Sequence, residues 1–349
     1  MNAVLYIHGK GGAAAEAEHY KPLFPEHEVA GLDYNTSVPW EAGKKIRAAV
    51  EALTQTHESV TLIANSIGAF FSLHADIDAR IDKAFFISPI TDMEALITGM
   101  MAQAGVTERD LQAKDTIPTD FGEDLSWKYL CYVRAHPIRW NAPTEILYGE
   151  RDTLVPYETV AAFAEAHGAS LTVMPGGEHW FHTQEQLRFL DGWLRRARFT
   201  VRPLKAEETE AALRLAWTVF TEFESPDYGP AGTEEFRKCL HDEAYLAGIR
   251  YYGAFDGHTL IGMLGVRPEE CHICFCFVDG AYHRRGVGTR LLERMLADFP
   301  NRTITLNASP FGLPFYLRRG FIATDAEQTV NGIRFTPMKY TGGTNHAEH

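Results

Sequence analysis

The 349-residue sequence predicts two successive domains of different class, an α/β domain followed by an α+β domain. The length exceeds that at which a single hydrophobic core usually stops growing. Residues 1–198 alternate short apolar, β-branched runs with amphipathic stretches, the pattern of a mainly parallel sheet with helices on both faces. Residues 199–340 lose that alternation and place a helix before a series of strands.

In order along the first domain, Ala3–Ile7, Val60–Ala64, Lys83–Ser88, Thr144–Tyr148 and Ser170–Met174 read as strands. Thr159–His167 is helical, with Val160, Phe163 and Ala164 on one face. Gln184–Arg198 closes the domain as a helix carrying Leu187, Leu190 and Trp193 or Leu194 at helical spacing and a basic last turn, which complements the helix dipole. Between 92 and 141 no strand alternation is evident, and Met93, Leu96, Ile97, Met100 and Met101 recur at helical spacing. Phe199–Val201 begins the second domain with scarcely any linker. A helix follows over Ala206–Phe223, then a Pro- and Gly-containing loop at Ser225–Gly232, then mostly strand as far as Val278. Residues 341–349 read as a disordered tail, and no internal repeat is present.

Composition excludes several classes of function. The chain is 45% hydrophobic and 23% charged, and it contains no apolar run of the roughly 18 residues a membrane span requires. The N-terminus lacks the basic, apolar and small-residue succession of a secretory signal, and the five cysteines are unevenly placed, so reduced thiols and a cytoplasmic location are expected. Residues 1–198 hold 17 basic and 27 acidic residues, net -10, and residues 199–349 hold 16 and 19, net -3. Neither balance suits nucleic acid as a partner. One local basic cluster, Arg284, Arg285 and Arg290, offers a place for an anion.

In the first domain the strand Val60–Ala64 runs into Asn65-Ser66-Ile67-Gly68 and then an apolar helix. A strand, a tight turn and a helix lift a serine hydroxyl clear of the sheet and aim a helix N-terminus at it. Asp152 follows the strand Thr144–Tyr148, and His179 follows Ser170–Met174, both in loops at the C-terminal edges of strands. The order serine, acid, histidine on one sheet edge resembles the small serine hydrolases of the α/β-hydrolase superfamily, over about residues 1–198. Ala64 stands where that family usually has glycine. The resemblance implies Ser66 as nucleophile, His179 as its base and Asp152 as the group orienting the imidazole. It also implies an oxyanion hole from the backbone N–H groups of Lys10 and Ile67, the first in the loop Tyr6-Ile7-His8-Gly9-Lys10-Gly11-Gly12. It places a small cap over the nucleophile at 92–141, whose methionine face serves either an apolar substrate or simple packing. His8 reads as structural, and His182 is the rival to His179. The substrate class implied is a small ester, thioester or amide.

In the second domain Phe275–Val278 leads through Asp279-Gly280-Ala281-Tyr282-His283-Arg284-Arg285-Gly286-Val287-Gly288-Thr289 into a helix with Leu291, Leu292 and Met295 on its buried side. Backbone N–H groups at such a helix start form an anion site, and the glycines admit a pyrophosphate. With the segments Thr303–Pro310 and Phe315–Phe321, this resembles the GNAT superfamily of N-acetyltransferases, over about residues 199–340. His283 stands where the family's loop usually has Gln or Arg. The resemblance implies acetyl-CoA as co-substrate, with Arg285, Gly286, Val287, Gly288 and Thr289 holding its pyrophosphate, Val278 touching the pantetheine and Asn307 hydrogen-bonding the cofactor. Tyr316 matches the family's frequent general acid, with packing under the loop as the alternative.

Glu222, Glu224 and Asp227 either meet a cationic amine or form a solvated acidic surface. The run Cys271-His272-Ile273-Cys274-Phe275-Cys276 puts His272, Cys274 and Cys276 on one face of a regular strand, but no second ligand pair with zinc-like spacing follows, so no metal is expected. The expected function is therefore bifunctional: hydrolysis of a small substrate and transfer of an acetyl group to an amine. The alternatives are a transferase with a non-catalytic, hydrolase-like binding domain, and an acetyl-CoA-binding sensor.

Overall fold

The computed structural model describes residues 2–341, so the expected tail beyond Thr341 lies outside the described residues. The chain divides into two compact units, one ending at Leu194 and the other beginning at Arg195.

The first unit runs β1 (Asn2–Ile7), β2 (His27–Leu32), α1 (Pro39–Thr54), β3 (Ser59–Asn65), α2 (Ile67–Leu73), β4 (Lys83–Ile87), α3 (Met93–Gln103), α4 (Glu108–Lys114), β5 (Thr116–Pro118), β6 (Asp124–Ser126), α5 (Trp127–Ala135), β7 (Thr144–Gly149), α6 (Tyr157–His167), β8 (Ser170–Met174) and α7 (Gln184–Ala197). Six strands form one wholly parallel sheet in the order β2-β1-β3-β4-β7-β8. Every residue of β4 is buried, as are Ala3–Ile7 of β1, because helices cover both faces of such a sheet. β2, an edge strand, gave no signal in the sequence: His27-Glu28-Val29-Ala30-Gly31-Leu32 is neither alternating nor strongly apolar.

Residues 92–141 fold into α3, α4, the hairpin β5–β6 and α5. Each helix begins at a side-chain cap: Asp92 accepts from the Ala95 N–H, Thr107 from that of Asp110 and Ser126 from that of Tyr129. Arg134 of α5 binds Glu94 of α3 and Glu108 of α4, tying the three together. Met93, Ile97 and Met101 are buried in one apolar cluster with Leu111, Leu125 and Leu130. Of the two readings of the methionine face, packing is thus the one these side chains serve.

The second unit runs β9 (Thr200–Pro203), α8 (Thr209–Phe223), α9 (Ser225–Cys239), α10 (Glu243–Leu246), β10 (Arg250–Asp256), β11 (Thr259–Arg267), β12 (His272–Val278), α11 (Val287–Asp298), β13 (Ile304–Ala308), α12 (Leu313–Leu317), β14 (Ile322–Ala323), β15 (Gln328–Val330) and β16 (Ile333–Tyr340). Its mixed, eight-stranded sheet follows the order β14-β16-β13-β12-β11-β10-β9, with β15 on β16. Val287, Leu291, Leu292 and Met295 of α11 pack on one face, and Ala212, Ala216, Val219 and Phe220 of α8 on the other.

Two expectations are corrected. Ser225–Gly232 is helical, not a loop: Pro226 sits in a first turn, where its missing N–H costs nothing, and Gly229 (φ 64°, ψ -174°) makes a kink after which Pro230 starts a second helical piece. Strand β12 is irregular, with a register shift against β11 between Gly265 and Val266, so that Gly265 pairs with Phe275 but Val266 with Ile273. This bulge at Cys274 sends Cys274 into the cluster under α8 and Cys276 into the cluster under α11. The two thiols therefore leave the common face that strict alternation assigned them.

Candidate active sites

In the first unit, Ser66 occupies the turn between β3 and α2 with φ 51° and ψ -117°, a conformation seldom held by a residue with a side chain. The turn is fixed on both sides. The Ser66 N–H donates to the Ile87 carbonyl at 3.0 Å, while its own carbonyl accepts from Ala69 and Ile90. A Cβ at Gly68 would lie 2.4 Å from the His8 carbonyl oxygen, so only glycine lets α2 approach β1 this closely. Ala64 is buried between Ile7 and Phe86 on neighbouring strands.

The loops after β7 and β8 are laced together: Glu150 N–H donates to the Met174 carbonyl, Arg151 N–H to Gly177 at 2.7 Å, and Gly176 N–H to the Glu150 carboxylate at 2.7 Å. This lacing brings two distant residues onto the serine. His179 Nε2 lies 2.9 Å from Ser66 Oγ, and His179 Nδ1 lies 2.6 Å from Asp152 Oδ2. The Asp152 side chain is wholly buried, and its Oδ1 accepts from the backbone N–H groups of Leu154 at 2.8 Å and Val155 at 3.0 Å. A carboxylate so held favours the tautomer with its proton on Nδ1, in which Nε2 can accept a hydrogen bond from a hydroxyl.

The loop after β1 adjoins the same turn, since a Cβ at Gly9 would stand 3.3 Å from Ser66 Cβ. It turns through a Gly12 N–H to Gly9 carbonyl bond, with Lys10 next to the contact and its ammonium paired with Glu123. Ile67 opens α2, so its N–H has no helical partner one turn back. His8 stacks on Tyr34 at 4.2 Å and its Nδ1 meets the Gly9 carbonyl. His182 is largely exposed and bonds to the Trp180 carbonyl rather than to Ser66.

In the second unit, β12 and β13 pair only through His272–Thr305 and Ile273–Leu306 and then part. Their divergence opens a cavity of about 670 Å³ within this unit. Its lining includes Gly286, Val287, Gly288 and Thr289 together with Arg284, Arg318 and Arg319. Gly286 is left-handed (φ 90°) at the N-cap of the 12-residue helix α11, which leaves the first N–H groups of that helix without helical partners. Arg319 is bonded to the Thr289 hydroxyl, and the Arg285 guanidinium lies over the Tyr282 ring, so the lining takes its loop cation from Arg284 and not from the Arg285 side chain. Asn307 and Val278 both line the cavity, and the Val278 carbonyl is held by His283 Nε2 at 2.7 Å.

Tyr316 of α12 lines the cavity, is buried and is hydrogen-bonded with the Cys276 thiol. Burial, with Cys276 and Glu224 nearby, holds the Tyr316 phenol well above the ordinary tyrosine range, and burial pushes the Cys276 thiol up to about 11. Such a thiol is a poor nucleophile at neutral pH. Glu224 receives hydrogen bonds from Tyr228 and Ser309, and burial raises its carboxyl to about 7. Of the acidic residues noted in the sequence, Glu222 and Asp227 are exposed, whereas Glu224 faces the cavity. Ser309, Phe311 and Arg318 also line it, and no sequence pattern singled out their roles.

Comparison with known proteins follows the same division. Residues 224–341 match a family model described as an acetyltransferase (GNAT) domain. No curated protein matches the chain. Among solved structures, alpha/beta hydrolase domain-containing protein 10 from mouse is 16% identical, with 54% of this chain and 86% of that one covered and a TM-score of 0.45. A GCN5-related N-acetyltransferase from Rhodopseudomonas palustris is 22% identical over 42% and 97%, TM-score 0.37. The paia N-acetyltransferase from Thermoplasma acidophilum, solved with coenzyme A, is 19% identical over 41% and 98%, TM-score 0.35. The chain thus joins a wholly parallel-sheet unit to a mixed-sheet unit, most of which matches the acetyltransferase (GNAT) domain model.

Proposed function

We propose that the chain is a bifunctional enzyme, hydrolysing a small ester, thioester or amide at Ser66 and transferring an acetyl group from acetyl-CoA to an amine in the second unit. The observation that carries the first activity is the continuous Ser66–His179–Asp152 hydrogen-bonded chain ending in a buried, triply bonded carboxylate. His179 Nε2 takes the Ser66 proton as Oγ attacks the acyl carbon, and Asp152 stabilises the imidazolium. The N–H groups of Lys10 and Ile67 receive the developing oxyanion, each worth about 100- to 1000-fold in rate. His179 then returns the proton to the leaving group, and water attacks the acyl-serine by the reverse relay.

For the second activity, the donor set in the cavity lining suits a pyrophosphate: a left-handed glycine, unpartnered helix-start N–H groups and three arginines. Gly286–Thr289 hold the pyrophosphate, with Arg284, Arg318 and Arg319 near its charge, while Val278 and Asn307 line the path of the pantetheine. Acetyl-CoA supplies an activated acetyl thioester. Tyr316, kept protonated by its surroundings, gives its phenolic proton to the leaving sulfur.

Intact-mass analysis after exposure to a fluorophosphonate tests the first activity. One adduct is expected on the native chain and none on Ser66→Ala; absence of labelling in the folded native chain contradicts it. For the second, millimolar acetyl-CoA should raise the melting temperature, and no rise contradicts cofactor binding.

A further inference from the structure

We propose that the part of the cavity around Glu224 takes a monocationic amine with an aromatic or branched aliphatic body, and that the Glu224 carboxylate, bonded to Tyr228 and Ser309 and within electrostatic reach of Tyr316, binds and deprotonates its nitrogen. The inference rests on the acetyltransferase reading of this site and adds the acceptor class and the missing base.

The cavity lining is chemically mixed. Arg284 and Arg319 belong to the loop Gly286–Thr289 by chain adjacency and by the bond to Thr289, whereas Tyr228, which binds Glu224, stacks on Phe220 at 5.5 Å, and Val219, Phe236, Phe277 and Phe335 also line the cavity. Phe236 stacks on Phe220 at 3.9 Å and meets Phe277 at 5.6 Å, so these rings form a continuous aromatic wall. Asn331, beside β15, reaches α9 by donating to Glu235 at 2.9 Å. Among the described residues that line the cavity, Glu224 and Glu235 are the carboxylates, and Glu235 is engaged by that bond. Arg334, also in the lining, pairs with Glu327 at 2.9 Å. One ammonium group thus finds one receptive carboxylate, while a second cationic centre would lie among arginines. Polyamines, aminoglycosides and basic peptides are disfavoured, and an arylalkylamine satisfies both the charge and the wall.

Glu224 is also placed for proton transfer. It terminates α8, receives Tyr228 and Ser309, and is close enough to Tyr316 and Cys276 for its charge to raise both. Asp227 adds to its raised pKa, and burial is the largest cause; Arg334 acts on Asp227 and Tyr228 from the facing strand β16. The acceptor enters as an ammonium ion and gives one proton to solvent. Its nitrogen forms a bond to the acetyl carbon and the C–S bond breaks, with the electron pair passing to sulfur. The second nitrogen proton goes to Glu224, and Tyr316 protonates the sulfur. Return of the Glu224 proton to the Tyr316 phenolate restores both groups. No acetyl-cysteine is formed, since the Cys276 thiol is held up to about 11.

The test uses the full chain and 2-phenylethylamine, with spermidine as the contrasting amine. Calorimetric binding of 2-phenylethylamine should weaken at least about tenfold in Glu224→Gln, while the melting-temperature rise with acetyl-CoA is unchanged. Its acetylation should fall about 100- to 10,000-fold, and the increase in kcat/KM as pH passes through about 7 should disappear. Glu224→Asp, which keeps the charge but withdraws it, should retain part of the binding and provides the decision if the Gln variant misfolds. Glu222→Gln, exposed and two residues earlier in the chain, should match the native chain. Unchanged binding and turnover in both Glu224 variants overturns the proposal, as does preference for spermidine. If acetyl-CoA produces no shift in the native chain, the transferase reading fails, and the Glu224 dependence of amine binding still decides the subsite.

Discussion

Replacing Asp152 by Asn isolates the part of the Ser66 site that depends on proton position rather than shape. Asp152 Oδ1 accepts two backbone N–H groups, from Leu154 and Val155, and an amide oxygen can accept both. The amide NH₂ then faces His179 Nδ1 across 2.6 Å. Because it donates, Nδ1 must become the acceptor, and the imidazole proton moves to Nε2, 2.9 Å from Ser66 Oγ. The imidazole can then no longer receive the serine proton. A tautomer switch of this kind costs about 10⁴ in kcat, or about 5.5 kcal/mol of barrier. The loss of one charge-assisted hydrogen bond costs folding only about 1–2 kcal/mol, a few degrees in melting temperature. Hydrolysis of p-nitrophenyl acetate, with thermal denaturation as the control, reads both quantities. Turnover within tenfold of the native chain in a folded Asp152→Asn protein refutes the assignment of this relay. Asp152→Ala is the inferior probe, since it orphans two buried N–H groups.

Ser66→Gly removes the hydroxyl but relaxes φ 51°, ψ -117°, which costs of order 1–3 kcal/mol in a residue with a side chain. After loss of the bond to His179, a net gain of about 1 kcal/mol and a melting temperature roughly 2–4 °C higher are expected alongside abolished hydrolysis; a lower melting temperature contradicts the strain argument. Gly286→Val, at φ 90°, should abolish the acetyl-CoA-induced rise in melting temperature while leaving fluorophosphonate labelling of Ser66 intact; an undiminished rise disproves the loop's role. Glu224 is held protonated up to about 7 against an unfolded value of 4.5, so the folded state binds more protons between those values and stability falls as pH rises across them. Glu224→Gln should therefore melt higher than the native chain at pH 8, by up to about 3 kcal/mol, and converge with it near pH 4.5; equal melting at pH 8 contradicts the desolvation of this carboxyl.

Much of this molecule is written locally in its sequence, and the rest depends on distant partners. The helix at Tyr157–His167 buries Val160, Phe163 and Ala164, the three residues its spacing marked. That Ser66, Asp152 and His179 meet was legible because chain order on a parallel sheet puts successive strand ends on one edge. The edge strand His27–Leu32 was not legible, since it carries neither alternation nor a β-branched apolar run, whereas the other edge strand, Ser170–Met174, carries Leu171-Thr172-Val173. Ser225–Gly232 misled because Pro and Gly at helix starts and kinks are the residues that also mark loops. The bulge at Cys274 is set by pairing with β11, where Gly265 takes Phe275 and Val266 takes Ile273, which strand periodicity cannot register. Glu224 could not be separated from Glu222 and Asp227 by type or spacing, because its burial comes from Ser309 and Tyr228, 85 and four residues away in the chain.

The independence of two activities in one chain is tested most directly by assaying Ser66→Ala for both. The account predicts hydrolysis reduced to background, with the acetyl-CoA-induced rise in melting temperature and acetylation of 2-phenylethylamine equal to those of the native chain. Hydrolysis surviving the substitution, or a parallel loss of acetyl-CoA binding in the folded variant, would contradict it.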